Sequence, residues 1–128
     1  MAYNILIVDD SAVTRMLIKR TINLTDLPIG DLYEASNGKI GLELLAKHHV
    51  DLVLADLHMP EMDGMEMTMR ILADDATRGI PVAIISAEPN AEQIAKLKEC
   101  GVKGHLRKPM TPEELRLLIT ELLGIAHA

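Results

Sequence analysis

Three short apolar runs and one short polar segment of this chain each end on a polar group that can do chemistry. Asp9-Asp10 follow Ile5-Leu6-Ile7-Val8, and Asp56 follows Leu52-Val53-Leu54-Ala55. Ser86 follows Val82-Ala83-Ile84-Ile85, and Lys108 follows the segment Gly104 to Arg107. Singly, an Asp or Ser in such a place usually caps the next helix, and a Lys there is usually solvated. Together they amount to three carboxylates, a hydroxyl and an ammonium. Three acids at close quarters repel one another, which raises their proton affinity or demands a cation. A hard divalent ion with oxygen ligands answers that demand, Mg2+ first and Mn2+ as the alternative. One carboxylate is then available as a nucleophile on phosphorus, forming an aspartyl phosphate. Lys108 would offset the phosphoryl charge, and Ser86 would donate a hydrogen bond to its oxygens.

For that chemistry the four segments must deliver their ends to one place. The uninterrupted apolar runs are those of strands buried on both faces of a parallel sheet. Helical spacing separates them: Ala12 to Leu24, Ile40 to Lys47, Met65 to Leu72, a segment capped by Asn90 that stops near Cys100-Gly101, and a last helix opened by Thr111-Pro112-Glu113-Glu114. Leu32 to Ala35 adds a weaker strand, with Asn37-Gly38 as the break after it. Five strands alternating with five helices predict an α/β sandwich with helices on both faces of the sheet. The second and fifth strands carry Tyr33, Glu34, Lys103 and Arg107, whereas the others are wholly apolar. Polar strands belong at the edges, so the expected order is 2-1-3-4-5, the flavodoxin-like doubly wound arrangement. In such sheets sites form beyond the carboxyl ends of the strands, where the strand order reverses.

Composition narrows the classes. At 128 residues, 48% of them hydrophobic, the chain is expected to be one domain, residues 1–128, with a sizeable core and no output domain. With no Phe and no Trp, the core must be aliphatic and methionine-built. The single Cys100 excludes an internal disulfide and cysteine-based zinc, and is expected to be a small buried apolar residue. A net charge of -6 disfavours nucleic acid as a partner. No apolar stretch approaches the roughly 20 residues of a membrane span, and no signal-peptide pattern opens the chain, so a cytoplasmic location is expected.

The motifs "ILIVDD", "LVLADLHMPEMDG", "VAIISA" and "KP" carry a specific resemblance. Over essentially its whole length the chain resembles the receiver domain of two-component response regulators, the CheY-like proteins, which share the strand order above. The resemblance implies that Asp56 accepts a phosphoryl group from a phosphohistidine on a sensor histidine kinase. It implies Mg2+ bound by Asp10, Asp56 and the backbone carbonyl of His58, with Asp9 holding a metal-bound water, and a cis peptide at Lys108-Pro109. Ser86 would move toward the phosphoryl group, beside a small Ala87 that leaves the site open. The aromatic position that turns inward on the fifth strand falls on His105, where the family commonly has Tyr or Phe. His58 and Glu88 stand where the family tunes phosphate loss. The output surface would be the fourth helix, fifth strand and fifth helix, including Lys98, His105 and Arg107. Partners implied are the kinase and a downstream protein: a motor component, another kinase, or the next histidine protein of a phosphorelay. A monomer is expected, with phosphorylation-dependent dimerisation as the variant.

Rival classes fare less well. A phosphatase of the haloacid dehalogenase type needs two aspartates separated by one residue, and Asp9 and Asp10 are adjacent. A flavin carrier would want a hydroxyl-rich phosphate loop and aromatic walls, but the only aromatics are Tyr3 and Tyr33. A receiver that never takes phosphate would not keep all five site residues. The protein is therefore expected to promote only its own phosphorylation and dephosphorylation. The methionines of "MPEMDGMEMTM" are read as core or a pliable surface rather than as a soft-metal site. His48-His49 are read as solvated near a helix's negative end, and His127 as part of a frayed tail.

Overall fold

The computed structural model describes residues 2–87 and 90–125. Among the described residues, strands and helices alternate: β1 (Tyr3–Val8), α1 (Ala12–Asn23), β2 (Ile29–Ala35), α2 (Gly38–Lys47), β3 (Leu52–Ala55), α3 (Gly64–Ala73), β4 (Val82–Ser86), α4 (Ala91–Cys100), β5 (Gly104–Arg107) and α5 (Pro112–Leu123). All strand pairs are parallel, and the sheet runs β2-β1-β3-β4-β5, the order that strand polarity predicts. From Ile5 onward the side chains of β1, and all those of β3 and β4, are buried, and the apolar ones divide between two cores. Leu6, Val8, Val53, Ala55, Val82 and Ile84 face α2, α3 and α4, where Leu45, Met67, Ile71 and Leu97 meet them. Ile5, Ile7, Leu52, Leu54, Ala83 and Ile85 face α1 and α5, against Ile18, Ile22, Leu115, Leu118 and Ile119. This alternation of faces along a strand is what lets one short run serve both layers.

Each helix begins on a side-chain cap. Ser11, Asn37, Asp63, Asn90 and Thr111 accept from the backbone N–H three residues on, and Thr111 with Glu114 completes a capping box. Left-handed glycines, Gly101 and Gly124, end α4 and α5. β2 begins at Ile29, three residues before the expected start. Its polar Gly30 and Asp31 hide the strand, yet the Asn4 amide oxygen holds the Asp31 N–H across the edge at 2.8 Å. Ser86 proves to be the last residue of β4 rather than the first beyond it.

One expectation is corrected. Cys100 is only partly buried, because it closes the last turn of α4 near the surface. His48 and His49 are exposed at the C-terminal end of α2, as expected; the His48 ring also stacks on Tyr33, with centroids 4.4 Å apart, and His49 pairs with Asp51 at 3.0 Å. The methionines split: Met62 and Met67 are buried, Met59 and Met65 pack against the core, and Met69 is exposed. His127 lies outside the described residues. Among the described residues, no helix is long and apolar enough to cross a membrane.

Candidate functional site

The carboxyl ends of β1, β3, β4 and β5 bring the sequence candidates together. One carboxylate oxygen each from Asp9, Asp10 and Asp56 lies within 4.8 Å of the others. Asp9 is 1% exposed, and its carboxylate is held from two directions: the Ser11 N–H donates to one oxygen at 2.9 Å and the Lys108 ammonium to the other at 2.7 Å. Lys108 also stands 3.6 Å from Asp56. The second Asp56 oxygen accepts from the Leu57 N–H at 2.8 Å. Asp10, by contrast, is exposed at the rim.

Charge and burial act against each other at Asp56. Burial raises its proton affinity most; Lys108 works in the opposite direction, and the Asp9 and Asp10 carboxylates add to the rise. The net result is a carboxyl held above its ordinary range, whose ionised form further positive charge nearby would favour. An all-oxygen set of clustered carboxylates whose central member is reluctant to carry its charge fits a hard divalent ion such as Mg2+. Soft or redox-active metals would ask for sulfur or imidazole ligands instead.

A cavity of about 430 Å³ opens over this cluster, lined by Asp56, His58, Ser86, Ala87, Asn90, Gln93 and Lys108. Ser86 is buried, whereas His58 and Ala87 are exposed at the mouth. Glu88 lies outside the described residues. Gln93 was not singled out by sequence reasoning, and its place on the wall depends on where α4 starts, which the Asn90 cap decides. The Lys108–Pro109 bond is cis.

His105 stands apart from the cluster, on β5 opposite Ile84 of β4. Its ring is partly buried, and Nε2 is enclosed without a hydrogen-bond partner among the described residues. Burial first, and the Lys98 ammonium second, favour the neutral ring.

Two further residues shape the site from outside. Arg15 on α1 donates to the Asp9 backbone carbonyl at 2.6 Å and pairs with Glu34 of β2 at 3.1 Å, pinning the loop that carries both N-terminal acids. Gly64 lets the loop after β3 fold back over Asp56: a Cβ there would sit 2.4 Å from the Asp56 carbonyl oxygen. The "DG" pair was the sequence signal for Gly64. Arg15 gave none, because its two partners, Asp9 after β1 and Glu34 on β2, lie apart from each other and from α1 in the sequence.

The response regulator receiver domain family matches residues 5–120. The chain belongs to that family. It is 38% identical over 112 residues to chemotaxis protein CheY-3 of Vibrio cholerae, a match covering 88% of this chain and 85% of that one. A CheY homolog of Campylobacter jejuni is 32% identical over 121 residues, covering 94% and 92% of the two chains. The sensor protein EvgS of Escherichia coli is 33% identical over 124 residues, which is 97% of this chain but 10% of that protein. Among solved structures, CheY4 of Vibrio cholerae superposes with a TM-score of 0.84 at 27% identity, covering 96% of this chain and all of the other. Receiver domains of this type are signalling proteins of two-component systems, and phosphorylation with Mg2+ at an acidic pocket is general to them.

Proposed function

We propose that this chain is a phosphorylation-activated switch in which Asp56 accepts a phosphoryl group from a sensor histidine kinase. The observation that carries the reading is the convergence of Asp9, Asp10, Asp56 and Lys108, from three strand ends, around one opening. In the transfer, an Asp56 oxygen forms the new P–O bond as the P–N bond to the donor histidine breaks, and the imidazole leaves and takes up a proton. Lys108 stands beside both Asp9 and Asp56, so it can turn to the phosphoryl oxygens, and the Ser86 hydroxyl lies on the same cavity wall. Asp10 and Asp56, with the His58 backbone carbonyl, would hold Mg2+ or Mn2+, and Asp9 would orient a metal-bound water. Bound there, the ion would neutralise the acids and the charge that develops on the transferring group.

The donor needs a place to rest. Val13, Met16 and Leu17 of α1 and its C-cap Leu24 are at least half exposed, an unusual concentration of large apolar side chains along one helix. An apolar groove of about 370 Å³ runs beside them, between Thr14, Leu17, Ile18, Thr21, Pro109 and Met110, and it shares Lys108 with the site. That continuity supports docking of the donor here, within reach of Asp56. Phosphate loss would be tuned by His58 and Glu88, with Gln93 on the facing wall; unchanged lifetimes in His58→Ala, Glu88→Ala and Gln93→Ala together would reject this. Output would run through α4, β5 and α5 to a downstream protein, with His105 as the residue that senses Ser86. A cytoplasmic monomer that dimerises at most on phosphorylation fits this role.

The test is incubation with Mg2+ and acetyl phosphate, read by intact mass. One acid-stable, base-labile phosphoryl group is expected, lost in Asp56→Asn and on chelation of the metal. Sustained hydrolysis of small phosphate esters would favour the phosphatase class instead. The similarity to part of a sensor protein supports a second reading, in which Asp56 passes the phosphoryl group on to another histidine protein. Return of label from the phosphorylated chain to a histidine phosphotransfer domain would favour that relay over a terminal switch.

A further inference from the structure

The chain is acidic, yet its basic side chains gather on one edge. Residues 96–108 hold five of the 13 Lys and Arg residues and one acid, Glu99, so this window carries +4 and the remainder -10. On β5, Leu106 and Gly104 face α5; a Cβ on Gly104 would meet Leu118 at 2.5 Å. Strand alternation therefore turns His105 and Arg107 to the opposite face, the side of α4, with Lys103 in the same phase at the strand's entry. Lys98 completes the row from α4, near enough to act on His105. Ion pairs tie Lys96 to Glu92 and Lys108 to Asp9 and Asp56, but Lys98, Lys103 and Arg107 have none among the described residues. All three are exposed, and β5 is an outer strand of the sheet.

Charge on an edge strand discourages strand-to-strand association, but either sign would serve that purpose. A one-signed row in a chain of opposite net charge calls for a partner that supplies the counter-charge. We propose that the α4–β5 edge binds an acidic segment of the downstream protein, whose carboxylates pair with Lys98, Lys103 and Arg107. This rests on the reading of β5 and its flanking helices as the output surface, and it adds the partner's chemistry. A nucleic acid is disfavoured, because the -10 carried elsewhere repels a long polyanion whereas a short acidic segment meets only the edge.

His105 provides an internal reporter. The charges facing it are Lys98 from α4 and Lys103 and Arg107 along its own strand; Ile84 and Ser86 on β4 bring none. Burial first, and the Lys98 field second, favour the neutral ring; an acidic segment that pairs with Lys98 at the exposed edge offsets the second, so binding makes the ring easier to protonate. By linkage, binding then tightens as pH falls.

The test uses the full chain, isotopically labelled for NMR, with a short glutamate-rich peptide as probe. Controls are the same peptide with glutamine for glutamate and a single-stranded oligonucleotide of equal length. The glutamate peptide is expected to bind roughly tenfold or more tightly than the glutamine one, weakening with salt. Its shifts should centre on Lys98, Lys103, His105 and Arg107, with an upward move in the titration midpoint of the His105 ring. Lys98→Glu with Lys103→Glu should abolish this binding. Equal binding of the two peptides, shifts elsewhere, or tighter binding of the oligonucleotide would each overturn the proposal. The same titrations after treatment with acetyl phosphate and Mg2+ separate the two claims. Tighter peptide binding by the phosphorylated chain supports both, and equal binding by the two forms keeps the acidic partner but removes the coupling to Asp56.

Discussion

The Lys108 ammonium donates to the Asp9 carboxylate at 2.7 Å, joining residues 99 positions apart in the chain. Asp9 is almost wholly enclosed, so its charge depends on this partner and on the Ser11 N–H. Removing one member of a buried pair leaves the other uncompensated. Lys108→Met is therefore expected to destabilise the metal-free protein by about 1–3 kcal/mol, less than a fully buried pair would give, because Lys108 retains some exposure. Urea unfolding with and without Mg2+ checks this: the metal should restore part of the loss.

Asp56 lies in the opposite position, since its charge is a burden on the metal-free fold. Its carboxyl is held above the ordinary range, mainly by burial. A raised acid favours the fold while protonated, and that contribution is lost as pH rises through the folded value. Asp56→Asn should accordingly raise the melting temperature in chelator at neutral pH, with the gain shrinking toward pH 4. Mg2+ should raise the parent's melting temperature more than the variant's. A gain that grows with acidity would contradict the electrostatic account.

Gly64 and Gly79 make a matched pair. A Cβ at Gly64 would strike the Asp56 carbonyl oxygen, whereas one at Gly79 meets nothing within 4 Å. Gly64→Ala is expected to cost about 1–3 kcal/mol, as overpacking commonly does, and to slow phosphorylation by shifting the acceptor strand's end. Gly79→Ala should stay within about 0.5 kcal/mol of the parent. Denaturant midpoints and initial rates of labelling by acetyl phosphate measure both.

Glu34 tests the anchor of the β1–α1 loop. Lys19, by a hydrogen bond, and then Arg15 hold its carboxyl below the ordinary range. A depressed acid contributes stability above its unfolded value and loses it as pH falls through the folded one. Glu34→Gln should thus cost at most about 1 kcal/mol at neutral pH, less in high salt, and nothing once the parent's carboxyl is protonated in acid. Stability curves for the two proteins across pH give the comparison.

The sheet order could be read from two polar strands, because only an edge tolerates Tyr33, Glu34 and Arg107 in a sheet covered on both faces. The site was legible for a related reason: Asp9, Asp10, Asp56, Ser86 and Lys108 sit at strand ends, where apolar periodicity stops abruptly. What the residues hid depends on contacts between distant elements. The early start of β2 relies on Asn4 across the edge, and the pinning of Asp9 relies on Arg15, two residues whose types carry no positional signal. The same holds for Gln93, which α4 brings to the cavity, and for the ring of His105. The resemblance marks the position of that ring, but only the fold brings Lys98 beside it and encloses its Nε2.

The central claim is that Asp56, among all the acids gathered here, takes the phosphoryl group. The most direct measurement is reduction of the acetyl phosphate-treated protein with borohydride, which converts a phosphorylated aspartate to homoserine, followed by peptide mapping. Homoserine at position 56, present with Mg2+ and absent after chelation, is the result the account predicts. Modification at Asp9 or Asp10, phosphate on Ser86 or His58, or none at any position would contradict it.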